Sequence, residues 1–279
     1  MWSVLCGLAS TVFAAQDGEV ELRIVHTNDT HSCVMPVNPN SSDTALADKG
    51  GFVRRATLVR DLRAEDPDLL LFDSGDFSQG SAYYNLYKGD VEVKLMNEMR
   101  YDAATIGNHE FDFGLDNMAR IFREAAFPIV CANYHFEGTV LEGLVRPYVI
   151  LERKGVKVGV FGLGTQLEGM VASENYKGVT YEDPVTAANR VADELKNKEH
   201  CDLVVCLSHL GWDIDGLDDT ELVSATRHID IVLGGHSHTY FEHPEVLKNA
   251  DGEDVYCNQM GKHGRYVGML LLEMSPTGD

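Results

Sequence analysis

The sequence predicts an α/β fold in which sheet is layered between helices. From residue 20 onwards, short apolar runs with the composition of β-strands alternate with stretches of helical periodicity. Strands separated by helices of about 10–15 residues are typical of α/β proteins. No stretch resembles an interdomain linker, so the pattern indicates one α/β domain. The pattern leaves the number of sheets open.

The individual elements follow from apolar runs and helical stripes. The runs predicted as strands are Val20–Val25, Leu69–Phe72, Ala103–Ile106, Ile129–Ala132, Val145–Leu151, Lys157–Phe161, Leu203–Leu207, Ile229–Leu233, Val255–Gln259 and Val267–Leu272. The segments predicted as helices are Phe52–Glu65, Val91–Arg100, Leu115–Ala125, Pro184–Lys196 and Thr220–Thr226. Pro184–Lys196 is the clearest helix, because Asp183 can cap it and Pro184 suits its first turn.

The N-terminal segment resembles a secretory signal. Residues 1–15 form a short apolar run ending in small residues, and Val12-Phe13-Ala14 fits a cleavage site. The run is too short to span a bilayer, and it lacks the usual basic residues. We expect a signal peptide over 1–15, a single domain over 16–279, and export to the periplasm or the extracellular space. The alternatives are an incomplete N-terminus and a segment that is not a signal.

The charge balance argues against a nucleic-acid-binding surface. The chain has 44 acidic and 23 basic residues, which gives a net charge of −21. Binding to a phosphate backbone needs clustered Lys and Arg. An anionic substrate would also be repelled at long range unless bound cations reversed the local field. We therefore expect a small anionic substrate only if metal ions are present.

Five polar loops, each directly after an apolar run, carry the residues that indicate chemistry. In α/β sheets, ligands bind beyond the carboxyl ends of the strands, so we expect these loops to converge. Each motif alone could be a turn or a helix cap, and the set of five is what points to a metal site. The motifs are Asp29-Thr-His31, Gly75-Asp76, Asn108-His109-Glu-Phe-Asp112, Ser208-His209 and Gly234-Gly-His236-Ser-His238.

The residue types in these loops suit two metal ions. Residues at alternate positions of an extended backbone point the same way, so Asp29 and His31 can hold one ion together. The two oxygens of Asp76 can bridge two cations. Seven ligands, one of them shared, suit two ions of borderline hardness and leave positions for water or substrate. The predicted metal ligands are Asp29, His31, Asp76, Asn108, His209, His236 and His238.

The third motif also places an imidazole beside the metal site without requiring it to bind metal. His109 follows the ligand Asn108 directly, and Asp112 is placed to orient its ring. This arrangement is moderately specific by itself, and the alternative is a capping Asn followed by the start of a helix.

The five motifs, in this order, resemble the calcineurin-like metallophosphoesterase superfamily. Asn28–His31 and Gly107–Gly114 are closely similar to the catalytic domain of the secreted 5′-nucleotidase family, and Gly75–Ser81 adds to the match. The similarity runs from about Leu22 to Glu273. This resemblance implies a four-layer α/β/β/α sandwich with two central mixed sheets.

The resemblance also implies a division of the ligands between two divalent ions, which would be Mn, Zn, Co, Fe or Mg. One ion would be held by Asp29, His31, Asp76 and His238. The other would be held by Asp76, Asn108, His209 and His236. The resemblance further implies that His109 and Asp112 are the catalytic residues, the family's His-Asp dyad. His109, oriented by Asp112, would protonate the leaving oxygen or neutralise charge that develops on the phosphoryl group. In the family, the catalytic domain is followed by a C-terminal domain that binds the nucleotide. The sequence up to Asp279 does not include such a domain. We therefore expect either a separate chain that carries this domain or a substrate other than a nucleotide.

The predicted function is the hydrolysis of phosphate monoesters, nucleotides in particular. Two cations about 3.5–4 Å apart would generate a hydroxide near neutral pH that attacks the phosphoryl group in line. One alternative is a phosphodiesterase for cyclic nucleotides or nucleotide sugars. Another is a non-catalytic, metal-dependent subunit that docks a separate nucleotide-binding chain.

Overall fold

Two six-stranded mixed sheets form the centre of the molecule, and helices cover the outer face of each. The computed structural model describes residues 20–42, 44 and 47–274, so the predicted signal peptide lies outside the described residues. Within these ranges the strands are β1 Val20–Thr27, β2 Leu70–Asp73, β3 Ala103–Ala104, β4 Ile129–Val130, β5 Tyr134–His135, β6 Val145–Arg146, β7 Tyr148–Arg153, β8 Val156–Gly164, β9 Thr180–Tyr181, β10 Leu203–His209, β11 Ile231–Leu233, β12 Glu245–Lys248, β13 Asp254–Asn258 and β14 Gly268–Met274.

The helices lie in the connections between these strands. In the described ranges the α-helices are α1 Phe52–Glu65, α2 Ala82–Tyr87, α3 Asp90–Met99, α4 Gly114–Glu124, α5 Pro184–Asp193 and α6 Asp219–Ala225. Short 3₁₀ turns cover His109–Phe111 and Ser173–Tyr176, and α5 continues into a π-helical turn at Glu194–Lys198. None of the helices in the described ranges combines the length and the apolar character that a membrane span requires.

Strand alternation explains why both faces of each sheet are buried. In β2, Leu71 packs towards α1, α3 and α4, whereas Leu70 and Phe72 pack between the two sheets. In β10, Val204 packs towards α5 and α6, whereas Val205 packs between the sheets. Successive side chains of a strand point to opposite faces, so these apolar runs must be covered on both sides. The result is the predicted four-layer α/β/β/α sandwich, which is confirmed.

The sheet order brings the polar loops to one edge. The first sheet runs β14-β1-β2-β3-β4-β6 and the second runs β12-β13-β11-β10-β8-β7. Strands β1, β2 and β3 are parallel, and Thr27, Asp73 and Ala104 lie opposite one another in register. Strands β10 and β11 are also parallel. The loops that follow these five strands therefore leave the two sheets at their carboxyl ends, where the predicted ligands lie.

One predicted strand is wrong as a single element. The run Val145–Leu151 is split at Pro147 into β6, which joins the first sheet, and β7, which joins the second. Proline has no N–H to donate to a ladder and fixes its φ angle, so the chain leaves one sheet there and enters the other. The other predicted strands are present with shifted ends. The short strands β5, β9 and β12 and the helix α2 were not predicted.

The predicted helix start at Asp183 is confirmed. The Asp183 carboxylate accepts a hydrogen bond from the backbone N–H of Thr186 at 2.8 Å, and Pro184 occupies the first turn. The α-helical part ends at Asp193 rather than at Lys196, because the last turn widens into the π-helical segment. This difference lies on the side of the second sheet opposite the first and does not affect the polar loops.

Candidate functional site

The first group of predicted ligands consists of Asp29, His31 and His238. Nε2 of His31 lies 2.9 Å from Nε2 of His238 and 3.6 Å from Oδ1 of Asp29. Nε2 of His238 lies 3.4 Å from the same oxygen. The three atoms form a compact triangle, and the Asp29 side chain is fully buried. Loops after β1 and β11, which belong to different sheets, meet at this point.

The second group consists of Asp76, His209 and His236, with Asn108 beside it. Oδ2 of Asp76 lies 3.1 Å from Nε2 of His209, and the ligand atoms of all three residues lie within 4.8 Å of one another. Oδ1 of Asn108 is 3.0 Å from Nδ1 of His236. The backbone N–H of His236 donates to the Asp29 carboxylate at 3.0 Å, so the two groups are adjacent. All seven predicted ligand residues are thus brought to this edge.

The donor atoms of these groups fit cations. Nδ1 of His209 lies 2.7 Å from the carbonyl oxygen of Ser74, and a carbonyl only accepts, so this nitrogen carries the proton. Nε2 of His209 faces Oδ2 of Asp76 at 3.1 Å and has no hydrogen-bond partner among the described residues. Two electron-rich atoms at this distance repel each other unless a cation or proton lies between them. Ligands about 2.1 Å from a tetrahedral ion are about 3.4 Å apart, which matches the spacing of the first group.

The pKa shifts of the ligand residues show that the buried Asp76 carboxylate favours a positive charge beside it. Burial would lower the pKa of His209, but the Asp76 carboxylate outweighs it and raises the pKa to about 10. Burial would likewise raise the pKa of Asp76, and the charge of His209 instead holds it below its usual range. By contrast, burial lowers the pKa values of His31 and His236 to about 4. The site therefore keeps these two imidazoles neutral, which is the form that binds metal ions.

The backbone at the predicted ligands is unusual. Asp29, His31, Asp76, His236 and His238 all have positive φ angles, between 44° and 71°. A side chain other than glycine in this left-handed region costs about 1–3 kcal/mol. Strain of this kind persists where the surrounding structure holds it, and it is concentrated at functional sites. Five of the seven predicted ligands are therefore held in conformations that local preference disfavours.

His109 and Asp112 form a pair at the mouth of the two groups. Nδ1 of His109 lies 3.1 Å from Oδ2 of Asp112, and the His109 ring contacts the His31 ring at 5.6 Å between centroids. The His109 side chain is 29 % exposed, so it faces solvent beside the buried ligands. Burial opposes its protonation, but the hydrogen bond to Asp112 and the field of Asp76 raise the pKa of His109 above its usual value. The pair can hold and deliver a proton.

Glu110 belongs to the Asn108–Asp112 motif, but the sequence pattern assigns it no role. Its Oε2 accepts hydrogen bonds from the backbone N–H groups of Asp76 at 2.9 Å and Gly107 at 2.7 Å. Its Oε1 accepts from the backbone N–H and the hydroxyl of Ser78. Glu110 is 1 % exposed. One buried carboxylate therefore ties the loop of Asp76 to the loop of Asn108 and His109.

Gln259 supports the site from the other side and was missed. Its Oε1 accepts from the hydroxyl of Ser237 at 3.0 Å and the backbone N–H of Thr239 at 2.6 Å, and its Nε2 donates to the carbonyl of Gly235 at 2.9 Å. These bonds hold the loop that carries His236 and His238. Gln259 directly follows β13, as the recognised motifs follow their strands, and that position was the available signal.

The sequence matches the family model described as calcineurin-like phosphoesterase over residues 22–240. It is 32% identical to the human 5′-nucleotidase over 296 residues, covering 99% of this chain and 50% of that protein. It is 33% identical to the snake venom 5′-nucleotidase of Crotalus adamanteus over 280 residues, covering 94% of this chain and 47% of that protein. The chain spans about half the length of the curated relatives it matches.

Solved structures of similar proteins share the fold. The 5′-nucleotidase precursor from Thermus thermophilus matches with a TM-score of 0.80 and 31% identity, over 92% of this chain and 55% of that chain. The NAD nucleotidase of Haemophilus influenzae matches with a TM-score of 0.82 and 27% identity, over 94% of this chain and 48% of that chain. The two mixed sheets and their outer helices are therefore an arrangement also found in nucleotidases.

Proposed function

Because the chain belongs to the calcineurin-like phosphoesterase family and is a metal-dependent phosphoester hydrolase, we propose that it hydrolyses phosphate monoesters, and nucleotides in particular. The observation that carries this proposal is the pair of His109 and Asp112 in contact with two adjacent groups of metal-ligand type. The relatives named 5′-nucleotidase support the nucleotide class. They match this chain over about half their length, so the substrate is part of the proposal.

Two divalent cations are the proposed cofactors. Asp29, His31, His238 and Asp76 would hold one ion, and Asp76, Asn108, His209 and His236 would hold the other. When bound, the two cations would supply activation of a water molecule and neutralisation of the phosphoryl oxygens. The orphaned Nε2 of His209 and the triangle of donors in the first group support this assignment.

His109 is proposed to act on the leaving oxygen. With Asp112 accepting a hydrogen bond from Nδ1, Nε2 of His109 is the atom that can donate a proton or a hydrogen bond to substrate. The raised pKa of His109 favours the protonated ring that this role requires. His109 lies beside the ligand groups rather than within them, so it can contact the phosphate ester without binding metal.

The test is an assay of the purified chain with Mn²⁺, Co²⁺ or Zn²⁺ on 4-nitrophenyl phosphate and on AMP. We expect hydrolysis of both esters, loss of activity with a chelator, and recovery when the metal is restored. Hydrolysis of bis(4-nitrophenyl) phosphate in the same assay measures phosphodiesterase activity, which is the alternative function. Failure to hydrolyse either monoester with all three metals would overturn the proposal, and a preference for the diester would replace it.

Export is a separate part of the proposal. The apolar run at residues 1–15 and the small residues before Gln16 support a cleaved signal. We expect the protein to be recovered outside the cytoplasm with an N-terminus near Ala15 or Gln16. Mass spectrometry of the N-terminal peptide checks this, and recovery of the intact Met1 end in the cytoplasm would contradict it.

A further inference from the structure

The loop between β13 and β14 is fastened to the first ligand group. The side chain of Asn28 binds it at two points, accepting from the backbone N–H of Met260 at 2.8 Å and donating to the carbonyl of Gly261 at 2.8 Å. The backbone N–H of His263 donates to the carbonyl oxygen of Asp29 at 2.8 Å. Three hydrogen bonds therefore hold this loop against the first group. The proposed catalytic residues and metal ligands give the loop no role of its own.

His263 places the loop beside the first ligand group, and this edge of the site is called the rim. Its ring lies edge-on to the His31 ring at 5.9 Å between centroids. The same His31 ring contacts His109 at 5.6 Å and His238 at 5.0 Å. The loop consequently borders the same space as the proposed proton donor and the first ligand group.

Two stacked tyrosines continue this rim. The rings of Tyr240 and Tyr266 stack at 4.0 Å between centroids, with an interplanar angle of 25°. Tyr240 follows His238 by two residues, so their Cα atoms are at most about 7 Å apart. Tyr266 covers one face of Tyr240, yet Tyr240 is still 45 % exposed. Part of Tyr240 therefore stays exposed only two residues after a predicted ligand.

The rim also carries positive charge in an acidic chain. Arg265 lies 5.8 Å from the centre of the Tyr266 ring, and its Nε donates to the carbonyl of Lys262 at 3.0 Å. In the part of the chain that the structure describes, neither Lys262 nor Arg265 forms an ion pair with a carboxylate. The net charge of the chain is −21, so cations at the rim would offset the repulsion of an anionic substrate.

We propose that Tyr240 and Tyr266, with the loop Gly261–Arg265, form a leaving-group subsite that stacks the aromatic ring of a phosphate monoester. The inference rests on the proposed function and names the part of the substrate that this chain itself would recognise. Stacking tolerates any flat aromatic ring, because every base presents a π-face. The subsite is therefore selective for an aromatic leaving group and indifferent to which base it carries.

A matched pair of substrates isolates the subsite. AMP and ribose 5-phosphate share the sugar and the ester bond, and AMP adds the base. We expect the wild type to favour AMP in kcat/KM, chiefly through KM. Tyr240→Ala is expected to lower the ratio of AMP to ribose 5-phosphate kcat/KM about tenfold, the fold-change that corresponds to one lost base stack. Tyr240→Phe keeps the ring and is expected to keep the ratio.

The control is Tyr87→Ala, since Tyr87 is 51 % exposed on α2 and is expected to leave the ratio unchanged. If Tyr240→Ala does not fold, Tyr240→Leu keeps much of the volume without the ring and is expected to show the same fall. An equal wild-type kcat/KM for the two esters, or an unchanged ratio in a folded Ala or Leu variant, would overturn the subsite.

A binding measurement separates this inference from the proposed function. Adenosine carries no phosphate, so calorimetric titration with adenosine reports on the subsite without turnover. We expect Tyr240→Ala to weaken adenosine binding about tenfold. If the wild type binds adenosine, Tyr240→Ala weakens that binding, and no phosphate ester is hydrolysed, the proposed function is refuted and the subsite is retained. Adenosine binding that is the same in wild type and Tyr240→Ala would remove the subsite alone.

Discussion

The side-chain carboxylate of Glu110 accepts a hydrogen bond from the backbone N–H of Asp76 at 2.9 Å. This bond joins two loops that follow different strands, β2 and β3, and the same carboxylate also binds Gly107 and Ser78. Burial and the Asp76 carboxylate raise the pKa of Glu110 to about 8, while the N–H groups of Gly107 and Asp76 oppose that rise. The position of Asp76 therefore depends on a residue that is not itself in either ligand group.

Replacing Glu110 by Gln is expected to weaken metal binding. Both carboxylate oxygens of Glu110 accept hydrogen bonds from N–H groups. In Gln, one oxygen is replaced by an NH₂ group, which cannot accept, so the loop of Asp76 would shift. Outer-shell changes of this kind typically cost about 10–100-fold in metal affinity or activity. Metal titration followed by calorimetry measures the change. Glu142→Gln is the control, because Glu142 accepts one backbone N–H from Gly138 at the exposed surface.

An unchanged metal affinity in Glu110→Gln would show that Asp76 is held without this carboxylate. Loss of folded protein in Glu110→Gln, judged by circular dichroism, would instead place the role of Glu110 in stability. Circular dichroism and metal titration of the same preparation distinguish the two outcomes.

His109→Asn is expected to lower kcat by about 10²–10⁴-fold, the usual contribution of a positioned general acid. Asn keeps a polar group but cannot deliver a proton. Metal content should stay at the wild-type level, because His109 belongs to neither ligand group. Steady-state kinetics and metal analysis of the same preparation check both parts. The exposed His200→Asn serves as the control, and a variant that retains wild-type kcat would refute the proposed role.

Removal of divalent cations is expected to destabilise the fold. The buried carboxylates of Asp29 and Asp76 lie against the imidazoles of their groups, so bound ions stabilise the folded state that holds these ligands together. At a free concentration 100 times Kd, one ion contributes about 2.7 kcal/mol, or about 5–10 °C in Tm for a chain of this size. Thermal unfolding with and without a chelator measures the shift.

The metal effect should depend on the ligand groups. His238→Ala removes one imidazole of the first group and is expected to show a smaller chelator-induced fall in Tm than the wild type. Equal melting temperatures with and without chelator in the wild type would argue against tightly bound ions.

His26 is expected to make the fold acid-sensitive. Its side chain is fully buried, neither ring nitrogen has a hydrogen-bond partner among the described residues, and burial lowers its pKa to about 3. The unfolded chain binds this proton below pH 6.5 and the folded chain only near pH 3. The contribution of the neutral ring to the free energy of unfolding is therefore complete above about pH 6.5. As the pH falls, this contribution is lost, by up to about 5 kcal/mol.

The measurement is the free energy of unfolding between about pH 8 and pH 4 in a buffer that contains a chelator. His26→Met removes the titrating group and should flatten the pH dependence. The ring lies against Gly268 of β14, and a longer apolar side chain can occupy that space. The control His243→Asn removes an exposed histidine, and equal pH slopes in wild type and His26→Met would contradict the prediction.

The residue types at the site could be predicted because their signals are local. Asp29, Asp76 and His209 each lie a few residues after an apolar run, and parallel strands present their carboxyl ends at the same edge. The start of α5 at Asp183 was likewise predictable from a cap followed by proline. These features depend on a few neighbouring residues, and short-range preferences encode them.

The assignment of strands to sheets needed the tertiary structure. The apolar run around Pro147 has one composition throughout, yet its two halves pair with different sheets. Sheet pairing depends on partners that are distant along the chain, so no local pattern separates β6 from β7. The division of the ligands into two groups was likewise implied only by family resemblance, and the distances around Asp29 and Asp76 gave it geometric support.

The sequence by itself determined the α/β class, the polar residues at the strand ends and the His109–Asp112 pair. Only the tertiary structure decided that Glu110 and Gln259 hold the ligand loops and that Tyr240 and Tyr266 stack beside them. The reason is physical: a strand end is encoded within a few residues, whereas a contact between loops exists only after both sheets have packed.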